Sequence, residues 1–295
     1  MYGTIADGIT SVKREMSKCY SGGAHIQEAL PVRPSKETFP IEESHLRALH
    51  GFAESNPIYH GSFQQDLAGT ECTIYEGDIN EYWLGSIKHG TSCQPFYPTW
   101  LASAYVLATA AKGFGCTGLV DIGSGDGRIA FCAALLGMRT RSIEIDDSLV
   151  KLQEEVAAST GTDFGPVCMD ALAADYGSMD ISRPAFAVGG LPQMGGEMLA
   201  EGLLEKIKNG GGSIMSEAVV ILAGEGDSSG PAARKRIGAG GLEGWEPIMA
   251  KYGLSARRVI SLPTVWTFDQ DKETPYIFAG PAGSSGASGV ETSNA

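Results

Sequence analysis

The stretch Leu119-Val120-Asp121-Ile122-Gly123-Ser124-Gly125-Asp126-Gly127-Arg128 decides the fold class of this chain. Its first residues are typical of a short buried strand that ends in a carboxylate. Three alternating glycines follow, and a helix is predicted to begin at Ile129. Glycines in such a turn let backbone N–H groups come close to a ligand that side chains would otherwise hold off. We therefore predict a ligand-binding turn between a strand and a helix.

Strand-like and helix-like segments alternate after this turn. The predicted strands are 118–122, 139–145, 166–169, 185–188 and 213–222, and the predicted helices are 129–136, 148–159, 171–176 and 197–208. After a helix at 242–252, strands at 257–268 and 275–279 have no room for a crossover helix between them, which predicts an antiparallel hairpin. The predicted fold class is therefore α/β, with a doubly wound, seven-stranded, mostly parallel sheet and a C-terminal antiparallel hairpin.

The chain is predicted to divide into three parts. Residues 1–95 form an N-terminal extension that we expect to cover or help form the substrate site. Residues 96–281 form the α/β domain, and residues 282–295 form a low-complexity, disordered tail. Within the extension the sequence predicts helices at 9–19 and 41–52, an extended linker at 31–35, and strand or aromatic-core segments at 73–76 and 82–84. Within the domain it predicts a first helix at 98–110 and a Gly- and Ser-rich loop at 224–241.

Composition and charge limit the classes of partner. The 295 residues carry a formal net charge of −13, which disfavours nucleic acid and anionic membranes and slightly favours a cationic substrate. No segment is long and apolar enough to span a bilayer, and the N-terminus lacks the pattern of a signal peptide. We therefore expect a cytoplasmic protein with no membrane partner.

Neither the cysteines nor the histidines indicate a metal site. The six cysteines have no CxxC spacing and are expected to be free thiols, with Cys132 and Cys168 buried in apolar runs. The five histidines also lack ligand spacing; His45 and His50, for example, do not share one helix face. We assign no metal ligand.

Acidic side chains mark the ends of three predicted strands. Asp121 precedes the glycine turn, Glu144 lies roughly 20 residues further on, where an acid can bind ribose hydroxyls, and Asp170 could accept from an exocyclic amine. A dinucleotide fingerprint would need a third glycine where Arg128 stands, and Asp121 would face a pyrophosphate of like charge. The three acids therefore favour a cationic nucleoside, such as an adenosine joined to an amino acid through a sulfonium.

These features resemble the class I S-adenosylmethionine-dependent methyltransferases. The family's D/E-x-G-x-G-x-G motif stands here as Asp121-Ile-Gly123-Ser-Gly125-Asp-Gly127, and the seven-strand pattern with its terminal hairpin matches over roughly residues 95–280. The resemblance implies a methyltransferase fold and S-adenosyl-L-methionine as the cofactor. The cofactor-binding residues that it implies are Asp121, Gly123, Ser124, Gly125, Asp126, Gly127, Glu144, Ile145, Asp170 and Ala171.

Within this class, the run Phe96-Tyr97-Pro98-Thr99 ahead of the glycine motif is similar to small archaeal protein-lysine methyltransferases. This resemblance implies that Tyr97 and Thr99 lie near the methionine end of the cofactor, and that Leu191-Pro192 shapes the methyl-transfer pocket through its carbonyls. It also implies a protein lysine as the acceptor. No catalytic base is assigned; Tyr97 and Glu217 are candidate pocket residues.

Several alternatives stay open at this point. The fourth strand of the domain is followed by Gly189-Gly190-Leu191-Pro192-Gln193 and lacks a D/N-P-P-Y/F motif, which disfavours DNA bases as acceptors. The alternative functions are an RNA or small-molecule methyltransferase, a catalytically silent cofactor-binding subunit, and an NAD-binding protein. The structural alternatives are a solvated strand end for Glu144, a helix cap for Asp170, a core position for Tyr97, and a plain turn at Leu191-Pro192.

Overall fold

A computed structural model describes residues 2–19, 26–82, 96–190, 196–209, 216–224, 244–264 and 272–282. The helices are α1 (Tyr2–Cys19), α2 (Glu43–Ser55), α3 (Leu101–Gly113), α4 (Arg128–Leu135), α5 (Asp147–Thr160), α6 (Gly196–Asn209) and α7 (Glu246–Lys251). The strands are β1 (Ile26–Pro31), β2 (Tyr59–Leu67), β3 (Thr70–Gly77), β4 (Gly118–Ile122), β5 (Arg139–Glu144), β6 (Pro166–Cys168), β7 (Pro184–Val188), β8 (Val219–Ala223), β9 (Leu254–Pro263) and β10 (Glu273–Pro281).

A seven-stranded sheet forms the centre of the molecule, in the order β6-β5-β4-β7-β8-β10-β9. The five strands β4 to β8 pair in parallel, and β10 runs antiparallel to both β8 and β9. The predicted fold class is confirmed, including the C-terminal antiparallel hairpin. The chain order reverses between β4 and β7, and in open parallel sheets ligands bind outside the carboxyl ends of the strands at such a point.

The central strand β4 is buried throughout because helices cover both faces of the sheet. Side chains alternate along a strand, so Leu119 joins one hydrophobic core while Val120 and Ile122 join the other. The first core includes residues of α3 and α4, and the second includes residues of α6 and α7. Burial on both faces explains the continuous apolar run that precedes the glycine turn.

The described N-terminal residues pack against one face of this sheet domain. Strands β1, β3 and β2 form an antiparallel sheet in that order. Helix α1 packs against α3 and β9, helix α2 packs against α5, and β1 packs against α3. Apolar residues of these elements belong to the same core as α3 and α4. The predicted domain boundary after residue 95 stays a prediction, since residues 83–95 lie outside the described part.

Several predicted element boundaries differ from the structure. Helix α1 begins at Tyr2, and the predicted linker at 31–35 is tied down by backbone hydrogen bonds from Val32 to Glu71 and between Ser35 and Phe39. The predicted helix at 171–176 is only a 3-10 turn, because Asp170 caps a single turn at Ala171–Ala173.

Further corrections concern the C-terminal half and one thiol. Strand β8 begins at Val219, after a helical turn at 216–217, whereas β9 begins earlier than predicted, at Leu254. The prediction that Cys168 is buried is wrong: the thiol is exposed, because β6 is a short edge strand. The predictions for residues 83–84, for Leu191-Pro192, and for nearly all of the loop 224–241 and the tail 282–295 concern residues outside the described ranges.

Candidate functional site

The glycine turn closely follows its predicted position between β4 and α4. Gly125 has φ +58° and Gly127 has φ +77°, backbone conformations that residues with a Cβ rarely adopt. A Cβ at Gly125 would lie 2.4 Å from the Phe96 ring, and one at Gly127 would lie 2.5 Å from the Phe164 ring. The turn therefore requires glycine both for its backbone conformation and for the close approach of these two rings.

The backbone N–H groups of the turn already have acceptors within the protein. The N–H groups of Gly123 and Ser124 donate to the carbonyl of Ile143, and that of Gly127 donates to the carbonyl of Ser124. The Gly125 N–H donates to Oε2 of Glu144 at 2.8 Å. These four N–H groups are thus not offered to a ligand, contrary to our expectation from the sequence. A pyrophosphate would find carboxylates here rather than donors, which disfavours a dinucleotide.

Glu144 links the end of β5 to the glycine turn. Its Oε2 accepts from Gly125, and its Oε1 accepts from the N–H groups of Ile145 at 2.8 Å and Asp146 at 3.1 Å. Burial raises the pKa of this carboxyl, and the three N–H donors, led by Gly125, offset part of the rise. The side chain is buried rather than a solvated strand end. A carboxylate accepts about four hydrogen bonds, so roughly one position remains for a ribose hydroxyl.

Asp121 is a buried carboxylate directly beneath the turn. Its Oδ2 accepts from the N–H of Ala130 in the first turn of α4, at 3.1 Å. Burial raises the pKa of Asp121 well above its usual value, and the charges of Asp126 and Glu144 raise it further. Within the described ranges no lysine or arginine forms an ion pair with Asp121. A cationic ligand at this edge would supply the opposite charge that the carboxylate lacks.

A buried ion network holds the far side of the turn. Arg128 donates through Nε to Asp126 at 2.9 Å and through Nη1 to Glu28 at 3.3 Å, and it also donates to the Thr99 carbonyl. Asn56 donates to Asp126 at 2.9 Å. The carboxylate of Asp126 is therefore already bonded within the protein, and its predicted cofactor role stays a prediction.

Glu28 and Asn56 also support the turn, although they are not among the site residues predicted from the sequence. Glu28 is fully buried on β1, and Oε2 also accepts from the Leu101 N–H at 2.7 Å, while Oε1 has no hydrogen-bond partner. Burial raises the pKa of Glu28 to about 7, although the Arg128 charge opposes this rise. One feature of the sequence could have indicated Glu28: it is an acid within the mostly apolar strand Ile26–Pro31, and a buried acid requires a buried partner.

The segment ahead of α3 lies over the glycine turn. Phe96 is buried against Gly125, whereas Tyr97 is 39% exposed, so the alternative of a core position for Tyr97 is wrong. The Thr99 hydroxyl is hydrogen-bonded to the hydroxyl of Tyr276, and its carbonyl is bonded to Arg128. Tyr97 is thus the aromatic residue of this run that faces solvent.

Asp170 follows β6 at the same edge of the sheet. Its Oδ1 accepts from the Leu172 N–H at 2.8 Å, which is the capping role that the sequence left open as an alternative. The residue remains exposed, so a contact with an adenine amine stays a prediction, and Ala171 beside it is buried. Glu217 is exposed in the turn that precedes β8.

Parallel pairing brings the predicted acids to one edge. The carboxyl ends of β4, β5 and β6 are adjacent, so the glycine turn, Glu144 and Asp170 lie at neighbouring strand ends. Leu191 and Pro192 are outside the described residues.

In the described part of the chain, no group of three or more His, Cys, Asp or Glu side chains is arranged to hold a metal ion. His45 is bonded to the Tyr105 hydroxyl at 2.8 Å, and His50 is bonded to that of Tyr75 at 2.7 Å.

Comparisons with known proteins give only remote similarities. No known family profile matches this chain, and no curated protein matches it either. Among solved structures, ribosomal protein L11 methylase from Lactobacillus delbrueckii subsp. bulgaricus is 16% identical over 63% of this chain and 81% of its own, with a TM-score of 0.41. Magnesium protoporphyrin IX methyltransferase from Synechocystis PCC 6803, with bound SAH, is 11% identical over 69% and 98%, with a TM-score of 0.42.

A third similar structure is the Pyrococcus abyssi tRNA (uracil-54, C5)-methyltransferase in complex with S-adenosyl-L-homocysteine. It is 12% identical over 63% of this chain, with a TM-score of 0.43, and this chain spans only 40% of its length. At such identities and TM-scores these similarities carry no argument about the activity of this chain. Its fold follows from its own strand order, and none of the helices within the described ranges is long and apolar enough to cross a membrane.

Proposed function

We propose that this protein is an S-adenosylmethionine-dependent methyltransferase whose cofactor binds at the carboxyl edge of β4, β5 and β6. One observation carries the proposal: the N–H groups of Gly123, Ser124, Gly125 and Gly127 are already bonded within the protein, while the carboxylates of Asp121 and Glu144 lie at the turn. A phosphate-bearing ligand would be repelled there, whereas a nucleoside with a positive charge would be attracted. S-adenosylmethionine meets these requirements because it joins an adenosine, whose ribose carries hydroxyls for Glu144, to a positively charged sulfonium.

In the proposed complex each side chain has a separate role. Glu144 accepts one hydrogen bond from a ribose hydroxyl, Asp170 accepts from the adenine amine, and Asp121 offsets positive charge on the ligand. Ile145 and Ala171 flank the adenosine, and Tyr97 and Thr99 lie toward the methionine end. When bound, the cofactor supplies a methyl group on an activated sulfonium.

The protein's own contribution to the rate is positioning. Methyl transfer is an in-line displacement, so holding the acceptor atom in line with the methyl group provides much of the acceleration. We propose that Tyr97, which is exposed ahead of α3, limits the direction from which an acceptor approaches. We assign no general base.

We propose a nitrogen acceptor, most specifically the side chain of a protein lysine. The net charge of −13 favours approach of a basic substrate. A lysine must lose its proton before it attacks, and its usual pKa is about 10.4, so the pocket has to disfavour the charged amine by desolvation.

The five cysteines of the described ranges are free thiols, which supports a cytoplasmic, reducing location.

Calorimetry with S-adenosylhomocysteine tests cofactor binding. We expect the unvaried chain to bind, and we expect Gly125→Arg to abolish binding because its side chain would meet the Phe96 ring. Glu144→Ala should weaken binding at least about tenfold through the lost ribose and turn contacts. The matched control is Glu154→Ala, an exposed acid on α5, which should bind normally. Absence of binding by the unvaried chain, or binding untouched by both site variants, would refute the proposal.

Transfer of a labelled methyl group identifies the acceptor class. Label that appears in protein, and disappears when lysines of the substrate are chemically blocked, supports the lysine proposal. Label in RNA or in small molecules would replace it with the alternative acceptors. Binding without turnover on any extract would instead indicate a silent cofactor-binding subunit. Titration with NADH separates the remaining alternative, for which we expect no binding.

A further inference from the structure

Strand β2 forms an exposed edge of the N-terminal sheet. In the order β1-β3-β2 it pairs only with β3 among the described strands. Residues 60–64 and Asp66 are exposed, and the Phe63 side chain is 44% accessible to solvent. Helix α1 also contacts this strand, but it leaves those residues uncovered. A long edge strand of this kind presents unpaired backbone groups to another chain.

The hairpin register shows which backbone groups are unpaired. Ala68 and Gly69 have φ +57° and +78°, so β2 and β3 are joined by a two-residue turn that is closed by the hydrogen-bonded pair Leu67 and Thr70. Pairs then alternate along the ladder, which directs the N–H and C=O groups of Ser62, Gln64 and Asp66 away from β3. The carbonyl of Glu71, opposite Asp66, accepts from Val32 on the β1 side, as this alternation requires.

The other sheet edges carry features that prevent pairing. Strand β6 has three residues and begins with Pro166, and β1 ends with Pro31 and is packed against α2 and α3. Strand β9 carries Arg257 and Arg258 and is packed against α1. By contrast, the nine residues of β2 contain neither proline nor lysine or arginine. Edge strands usually keep such protection unless they pair.

We propose that β2 is a self-association site at which two copies of this chain pair antiparallel about a two-fold axis through Phe63. In this register Ser62 of each copy lies opposite Gln64 of the other, so the outward-facing N–H and C=O groups meet. Phe63 lies opposite Phe63 of the second copy at a non-hydrogen-bonded position, where side chains are closest. The result is a continuous six-stranded sheet across the dimer, built from two three-stranded sheets.

The charges of β2 are compatible with a second copy, because in this register the acid of one copy does not lie opposite the acid of the other. The same register places His60 opposite Asp66 of the second copy, and the two-fold axis repeats this pair. No like charges meet along the strand, because His60 and Asp66 are its only ionisable residues apart from Tyr59. His60 is the extra residue of a bulge between Tyr59 and Gly61, so it lies at the end of the regular pairing.

Analytical ultracentrifugation tests the dimer. A strand pairing alone buries less than a standard interface, so we expect the mass to rise from 31.0 kDa toward twice that value at about 100 μM protein. Gln64→Pro removes an outward N–H from each copy and should weaken association at least about tenfold while leaving the β2–β3 bonds intact. The matched control Gln64→Val keeps the N–H and should still associate. Unfolding curves of both variants should match that of the unvaried chain.

Cross-linking tests the register independently. Phe63→Cys places two thiols opposite each other, so oxidation should give a disulfide-linked dimer. Gln64→Cys pairs with Ser62 rather than with itself and should cross-link much less, and the unvaried chain with its own thiols is the control. A monomeric unvaried chain at all concentrations, or a dimer that persists in Gln64→Pro, would overturn the proposal. Equal cross-linking by both cysteine variants would overturn the register.

Discussion

Replacing Arg128 by methionine tests whether the buried ion network holds the proposed site together. Arg128 lies between Asp126 of the glycine turn and Glu28 of the N-terminal sheet, and the three side chains are at most 3% exposed. Methionine keeps much of the side-chain length and apolar contact but removes every hydrogen bond of the guanidinium. Asp126 would retain Asn56, and Glu28 would retain the Leu101 N–H, but neither would retain a cation.

The expected cost is large because two acids lose their counter-charge away from water. Removing one partner of a buried ion pair costs about 3–5 kcal/mol, against a total stability of about 5–15 kcal/mol for a typical protein. Part of this cost should be recovered by a second substitution, Glu28→Gln, because a neutral amide needs no cation. We expect the double variant Arg128→Met/Glu28→Gln to be more stable than Arg128→Met alone.

Urea unfolding at a constant m-value measures these differences. The control is Arg139→Met, which removes another arginine from an ion pair with an aspartate, Asp180. Because its side chain is 68% exposed, the expected loss is about 0–1 kcal/mol. The reasoning fails if Arg128→Met costs no more than Arg139→Met, or if Glu28→Gln adds to the loss instead of reversing part of it.

Three other predictions concern pH and the glycine turn. Because the folded pKa of Glu28 is raised from 4.5 to about 7, its contribution to stability is complete below pH 4.5 and is lost as the pH rises through 7. In the unvaried chain the free energy of unfolding should therefore fall by about 3 kcal/mol between pH 4.5 and 7, and Glu28→Gln should remove this fall. Urea unfolding at a series of pH values measures it. Gly137→Ala, with φ +74° and open space around the new Cβ, should cost about 1–2 kcal/mol by urea unfolding. Gly127→Ala should cost at least about 1 kcal/mol more because it also meets Phe164, and equal losses would contradict this account. Affinity for S-adenosylmethionine should rise with pH as Asp121, whose pKa is raised by burial, becomes charged; calorimetry across a pH series should show a slope that Asp121→Asn abolishes.

The sheet domain was predictable because its signals are local. Alternating periodicities gave the strand and helix order, and the short connection before β10 gave the hairpin. The acids Asp121, Glu144 and Asp170 could be placed at one edge because parallel strands end at the same side. Such inferences need only the chain order and the alternation of elements.

The surroundings of each acid were not predictable in the same way. Glu144 spends three hydrogen bonds on backbone N–H groups, and this count depends on how closely the glycine turn approaches the end of β5. From the sequence the N–H groups of the turn are expected to be available, yet those of Gly123, Ser124 and Gly125 donate to Ile143 and Glu144 on the neighbouring strand β5. Which groups of two separate strands meet depends on the register between the strands, and the periodicity within one strand does not show that register.

The N-terminal residues were the hardest to interpret, since their role depends on contacts across a long sequence separation. Glu28 and Arg128 are 100 residues apart, and Asn56 and Asp126 are 70 apart. Yet these contacts are the ones that fix Asp126 and the first turn of α4. If the network failed, the glycine turn would lose the support on one side while Glu144 still held it on the other. The described N-terminal residues therefore support the proposed cofactor site through Glu28 and Asn56. Cofactor affinity should fall when Asn56 is replaced by alanine, even though Asn56 reaches the turn only through Asp126.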